Sequence, residues 1–161
     1  MIDTGPLFNA LIINYLLKPG LRMNSRPLLE CTDESLRHPH TQLQFLGILS
    51  RIPEKLTTSH VIGEINGLVK TRLDLHNPEL SRFWNASIEL LTLWNLNERL
   101  LTLLDFAPGS ASEIARVGIV DAGLIHLALQ EGCPLITEDS RTLAPLAWEQ
   151  GIECELLRNL L

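Results

Sequence analysis

The sequence predicts an α/β protein: a three-layer α/β/α sandwich built on a four- to five-stranded, mostly parallel sheet. Three observations predict it. Short apolar runs of strand length alternate along the chain with longer stretches of helical spacing, the pattern of a parallel sheet covered on both faces. Carboxylates stand just after two of those runs, at Asp3 and Asp139, where open parallel sheets build their sites. At 161 residues the chain has the length of one domain with a real core, and its 45 % hydrophobic and 20 % charged content is ordinary for a globular protein.

The elements follow in order. Met1-Ile2-Asp3 reads as the end of a strand. Thr4 is placed as the N-cap of a helix, with Pro6 in its first turn and an end near Leu17. From 18 to 38 the pattern breaks at Pro19-Gly20 and Pro27, and this segment reads as an insertion in the single domain 1–161. A structureless loop of that length would be unusual, so the segment either holds a short helix, at Pro27–Cys31 or Asp33–Arg37, or is a mobile insertion. Pro39 opens a helix over Thr41–Arg51, and Leu56-Thr57-Thr58 is a short buried strand. His60–Leu73 carries Val61, Ile62, Ile65, Leu68 and Val69 on one helical face. Asn77-Pro78-Glu79 starts a helix that runs to about Trp94. Leu100–Phe106 fits either a strand or a continued helix. Ser112 caps a helix that bends near Gly118 and stops at Gly132. Pro134–Thr137 is a strand, Ser140–Gln150 a helix and Ile152–Leu156 a last strand.

The net charge is −6, and all of it falls in the second half. Residues 1–80 hold eight basic and eight acidic side chains, residues 81–161 five and eleven. Such a chain lacks the overall basic field of a non-specific nucleic-acid binder. The three cysteines match no thiol metal site and read as reduced thiols of a cytoplasmic protein. No signal peptide is expected, because Asp3 stands where a basic segment would be, and Leu7–Leu17 is too short to span a bilayer.

Four acids stand where an acid is awkward. Asp3 ends an apolar stub, Glu64 borders the apolar stripe of its helix, Asp121 lies inside Ile119–Ile125, and Asp139 follows Pro134–Thr137. Buried carboxylates are costly without a partner, and four that converge suggest a hard divalent cation. Taken singly, each has a plainer role. Asp139 could cap the next helix, Glu64 could be solvated at a helix edge, and Asp3 could be a turn residue. Asp121 is the exception, because its flanks are almost wholly apolar. Glu138 should point away from Asp139, because strand side chains alternate. His60 and His126 are read as structural. Asp3-Thr4-Gly5 also spells the D-T-G of aspartic proteases, but that motif needs an all-β fold, and here a helix follows. A haloacid-dehalogenase-like site would need a second Asp at position 5, which is Gly.

In order and spacing, four segments resemble the PIN-domain nucleases: Met1–Leu7, Leu56–Glu64, Val120–Ala128 and Leu135–Asp139. The resemblance, which includes the VapC-type toxin ribonucleases, implies the α/β/α sandwich and a metal-dependent endoribonuclease site. On it, Asp3, Asp121 and Asp139 would ligate Mg²⁺ or Mn²⁺, Glu64 would ligate or orient the attacking water, and Thr137 would support the ligands by hydrogen bonding. The implied partners are RNA, an antitoxin protein and a second copy of the chain in a homodimer, with no membrane. Lys18, Arg22, Arg26 and Arg37, in or beside the insertion, are the candidate RNA contacts. The alternatives are a PIN-like domain that binds or assembles without cleaving, and a structure-specific DNA nuclease.

Overall fold

The computed structural model describes residues 1–19, 26–102, 105–106 and 111–161. Helix accounts for 65 % of it and strand for 9 %. The first helix, α1 (Thr4–Leu16), is buried almost all round, and this suits its nearly unbroken apolar sequence. It packs against α3 (Pro39–Arg51), α4 (Ser59–Arg72) and α5 (Asn77–Leu93). At the α1–α5 contact, Tyr15 meets Phe83 edge to face with centroids 5.5 Å apart.

The expected four- to five-stranded sheet is not formed. Among the described residues the strands make two separate parallel pairs, β1 (Leu56–Thr58) with β2 (Asn97–Arg99) and β3 (Leu135–Thr137) with β4 (Cys154–Leu156). Each strand is only three residues long. The segment Met1–Asp3 runs between the pairs. Ile2 bridges Ile136 on one side and donates its N–H to the Leu56 carbonyl at 2.8 Å on the other. Because α1 takes over at Thr4, this segment contributes one isolated bridge rather than a strand, and the sandwich expectation fails there.

Other boundaries shift for identifiable reasons. The N-cap of α1 is Asp3, not Thr4: the Asp3 carboxylate accepts the Thr4 N–H. The 18–38 segment holds both candidate helices, α2 (Arg26–Glu30) and a 3₁₀ turn over Glu34–Arg37. Leu100–Phe106, which fitted either a strand or a continued helix, forms neither at its described positions; the strand of this region is β2, just before it, and positions 103 and 104 lie outside the described residues. The Ser112 helix is two: α6 (Ala111–Val117) and α7 (Ile119–Glu131), parted at Gly118. Gly132 ends α7 in the left-handed conformation, φ 61°, as a terminal glycine does without Cβ strain. Next, α8 (Leu143–Glu149) starts three residues later than expected, because Asp139 ties down the loop ahead of it. Finally α9 (Leu157–Leu160) follows β4 directly. No helix among the described residues is long and apolar enough to cross a membrane.

Candidate functional site

Asp3 sits at the point where the N-terminal bridge turns into α1. Its N–H is fixed to the Ile136 carbonyl at 3.0 Å, and its side chain is only 7 % exposed. One carboxylate oxygen accepts the Thr4 N–H at 2.5 Å and the other accepts the Thr137 hydroxyl at 2.6 Å. Burial pushes this carboxyl up to about 6. The two hydrogen bonds oppose that shift, and the negative charges of Glu64 and Asp139 add to it.

Thr137 is fully buried and serves two acids at once. Its hydroxyl donates to Asp3 and accepts the backbone N–H of Asp139 at 3.0 Å. Glu64 lies on α4, whose start is capped by Thr58, and its carboxylate accepts the Thr4 hydroxyl at 2.5 Å. Thr4 is therefore a link between the first and second acids that sequence reasoning missed. Its adjacency to Asp3 was the only available signal.

Asp121 stands in the first turn of α7. The amides of a helix N-terminus favour a negative charge there. Burial and the charges of Asp3, Glu64 and Asp139 outweigh them and push its carboxyl up to about 7. It makes no hydrogen bond with the described residues. Asp121 is therefore the place where the charges of the other three acids are felt together.

Asp139 behaves differently. Burial pushes its carboxyl up, but hydrogen bonds from the Thr142 hydroxyl and from the N–H groups of Thr142, Arg141 and Leu143 outweigh that and hold it below the usual range. Both of its oxygens are occupied in this turn. The N-cap role considered for Asp139 alone falls instead to Thr142; Asp139 ties down the turn ahead of α8.

Glu138 turns away from Asp139, as alternation requires. Its carboxylate accepts from the Asn9 amide, and the opposite oxygen lies 2.6 Å from where a Cβ on Gly5 would stand, so a larger residue there would have to displace the Glu138 side chain. Burial, then the charges of Asp33 and Asp3, push Glu138 up to about 7. Sequence reasoning gave this residue no role. The signal was Asn9, a polar amide in the apolar run Leu7–Ile13 that proves 2 % exposed.

Two of the candidate RNA contacts are engaged in ion pairs. Lys18 lies past the far end of α1, about 20 Å from Asp3 at 1.5 Å per residue, and pairs with Glu89 at 2.7 Å. Arg37 pairs with Glu34 at 3.6 Å. Arg22 and the side chain of Arg26 lie outside the described residues. His126 meets the Phe106 ring at a tilt of 39° with centroids 5.7 Å apart, and Nδ1 of His60 is buried without a hydrogen-bond partner among the described residues.

A hard divalent cation fits the chemistry of these donors, because oxygen carboxylates that repel one another lose that repulsion around a positive ion. The ligand set is not closed, however. Among the described residues no three Asp, Glu, His or Cys side chains form a group able to hold a metal. The hydrogen bonds show what occupies them: Thr4 and Thr137 engage Glu64 and Asp3, and the turn after β3 engages Asp139. No family model, curated protein or solved structure matches the chain.

Proposed function

We propose that this chain is a Mg²⁺- or Mn²⁺-dependent endoribonuclease that hydrolyses RNA phosphodiester bonds, in the manner of the PIN-domain nucleases it resembles in sequence. One observation carries the reading: the Asp121 carboxyl, pushed up to about 7 by burial and by the combined charge of Asp3, Glu64 and Asp139. A protein gains nothing in stability from such a cluster, and strongly perturbed carboxyls concentrate at functional sites. When bound, the cation would supply charge neutralisation at the phosphate and an acidified water. Asp3, Asp121 and Asp139 would hold it, with Thr137 fixing the Asp3 carboxylate through the hydrogen bond it already makes. Glu64, the most exposed of the four, is free to orient the water once Thr4 releases it.

A second reading has its own observation. Asp139 spends both oxygens on its turn, which suits a domain that binds without cleaving. Cleavage of a labelled single-stranded RNA with and without Mn²⁺, beside a DNA of the same sequence, separates the three cases. Metal-dependent RNA cleavage lost in Asp121→Asn supports the proposal. Cleavage of DNA alone would point to the DNA nuclease, and metal-independent inertness in both would leave the binding domain.

Two partner proposals accompany it. Ile88 and Leu93 on α5 are 59 % and 81 % exposed, which supports a homodimer through that helix. Light scattering at micromolar concentration should give twice the chain mass, and Ile88→Glu should halve it. An antitoxin that restrains the nuclease rests on the sequence resemblance alone.

A further inference from the structure

The strands leave one face incompletely covered. Between the end of α3 and the short α9 runs a groove of about 620 Å³. Ile2, Leu56 and Ile136 line it from the paired backbone, and Ile48, Ile52 and Leu160 line it from the helices. Four glutamates stand around this apolar surface: Glu54, Glu131, Glu153 and Glu155. Glu155 is in register with Ile136 across the parallel pair, so its side chain stands on the same face. The groove reaches the amino ends of the strands at Met1, Pro134 and Glu153, whereas Asp3 and Asp139 follow the carboxyl ends. It is therefore separate from the site described above.

Three of the four rim glutamates have no ion pair among the described residues. Glu131 meets Arg99 at 3.4 Å, but Glu54, Glu153 and Glu155 form no ion pair or side-chain hydrogen bond with the described residues. Lys55, next to Glu54 in sequence, is turned inward: its ammonium donates to the Ile52 carbonyl at 2.6 Å and lies over the Trp94 ring. The Met1 ammonium at the amino end of the groove is held by the Pro134 carbonyl at 2.7 Å, and three rim carboxylates without an ion pair among the described residues leave the local potential negative.

We infer that this groove docks a peptide segment of a partner protein whose apolar side chains are flanked by lysine or arginine. The apolar lining anchors the segment, and the rim selects its charge. A second copy of this chain is disfavoured as occupant, because it carries a net charge of −6 itself. An anionic membrane surface is disfavoured for the same reason.

The test is fluorescence anisotropy of a labelled synthetic peptide of mixed leucine and lysine, titrated with the full chain at low and high salt. Two charge-matched variants accompany it: Glu54→Lys with Glu153→Lys and Glu155→Lys at the groove, and Glu34→Lys with Asp74→Lys and Glu98→Lys elsewhere on the surface, both verified as folded by circular dichroism. The groove variant should bind about tenfold or more weakly, while the distant variant changes little. A lysine-only peptide should bind weakly to all three proteins. Ile52→Asn, which spoils the apolar wall without adding charge, should also weaken the leucine–lysine peptide. Equal weakening by both charge variants would reduce the effect to general attraction and overturn the proposal. A change of oligomeric state in the groove variant would assign the groove to a second copy and overturn it as well.

Discussion

Replacing Asp121 by Asn should stabilise the metal-free protein, by an amount that can be worked out. Burial, then the charges of Asp3, Glu64 and Asp139, raise this carboxyl from 3.8 to about 7. About three units at 1.36 kcal/mol each set a ceiling of about 4 kcal/mol. The side chain keeps partial access to water, which screens its neighbours, and halving the ceiling leaves about 2 kcal/mol. The sign follows from proton binding. As pH rises, the unfolded chain releases this proton near pH 3.8 and the folded chain only near pH 7, so the wild type loses stability across that interval. Asn does not titrate and escapes the loss. The variant should therefore match the wild type near pH 4 and melt roughly 4–8 °C higher near pH 8, in chelator. Added Mn²⁺ should raise the wild-type melting temperature more than that of the variant. Thermal melts by circular dichroism at the two pH values decide the matter. An Asp121→Asn protein no more stable than wild type near pH 8, or stabilised equally at both values, would refute the reasoning.

Three further outcomes are expected. Thr137→Val leaves a buried Asp3 oxygen and the Asp139 N–H without their partner, and should cost about 1–3 kcal/mol in urea unfolding; an unchanged midpoint would show those bonds to be dispensable. Glu138→Gln removes a charge held up near 7 by burial, Asp33 and Asp3, so it should raise the melting temperature near pH 8 and leave it alone near pH 4. A pH-independent change there would mean that packing against Gly5, not charge, sets the effect. Gly132→Ala meets no neighbour within 4 Å, so its cost should be the left-handed backbone alone, about 1–2 kcal/mol in the same unfolding assay. A much larger loss would point to a clash.

What the sequence determined by itself was mostly local. Pro39 and Pro78 open α3 and α5, Gly132 closes α7, and the stripe Val61–Ile65–Val69 buries one side of α4, because these signals act within a turn or two of chain. The awkwardness of Asp121 was also legible, since an acid flanked by Val120 and Ala122 has few solvated positions on a helix. Sheet formation was not legible, because pairing is decided between segments far apart in sequence. Three-residue runs such as Leu135–Thr137 can end as one wide sheet or as separate pairs, according to how neighbouring helices claim their ends. Helix α1 claims Thr4 and leaves Met1–Asp3 one bridge. The site divides in the same way. That four acids stand in awkward places could be read from the sequence, but the state of each was set by tertiary contacts. Thr137 holds Asp3, Thr4 reaches Glu64 across 60 positions, and the turn after β3 absorbs Asp139. Desolvation and hydrogen bonding are properties of a place in space, so only the folded chain could assign them.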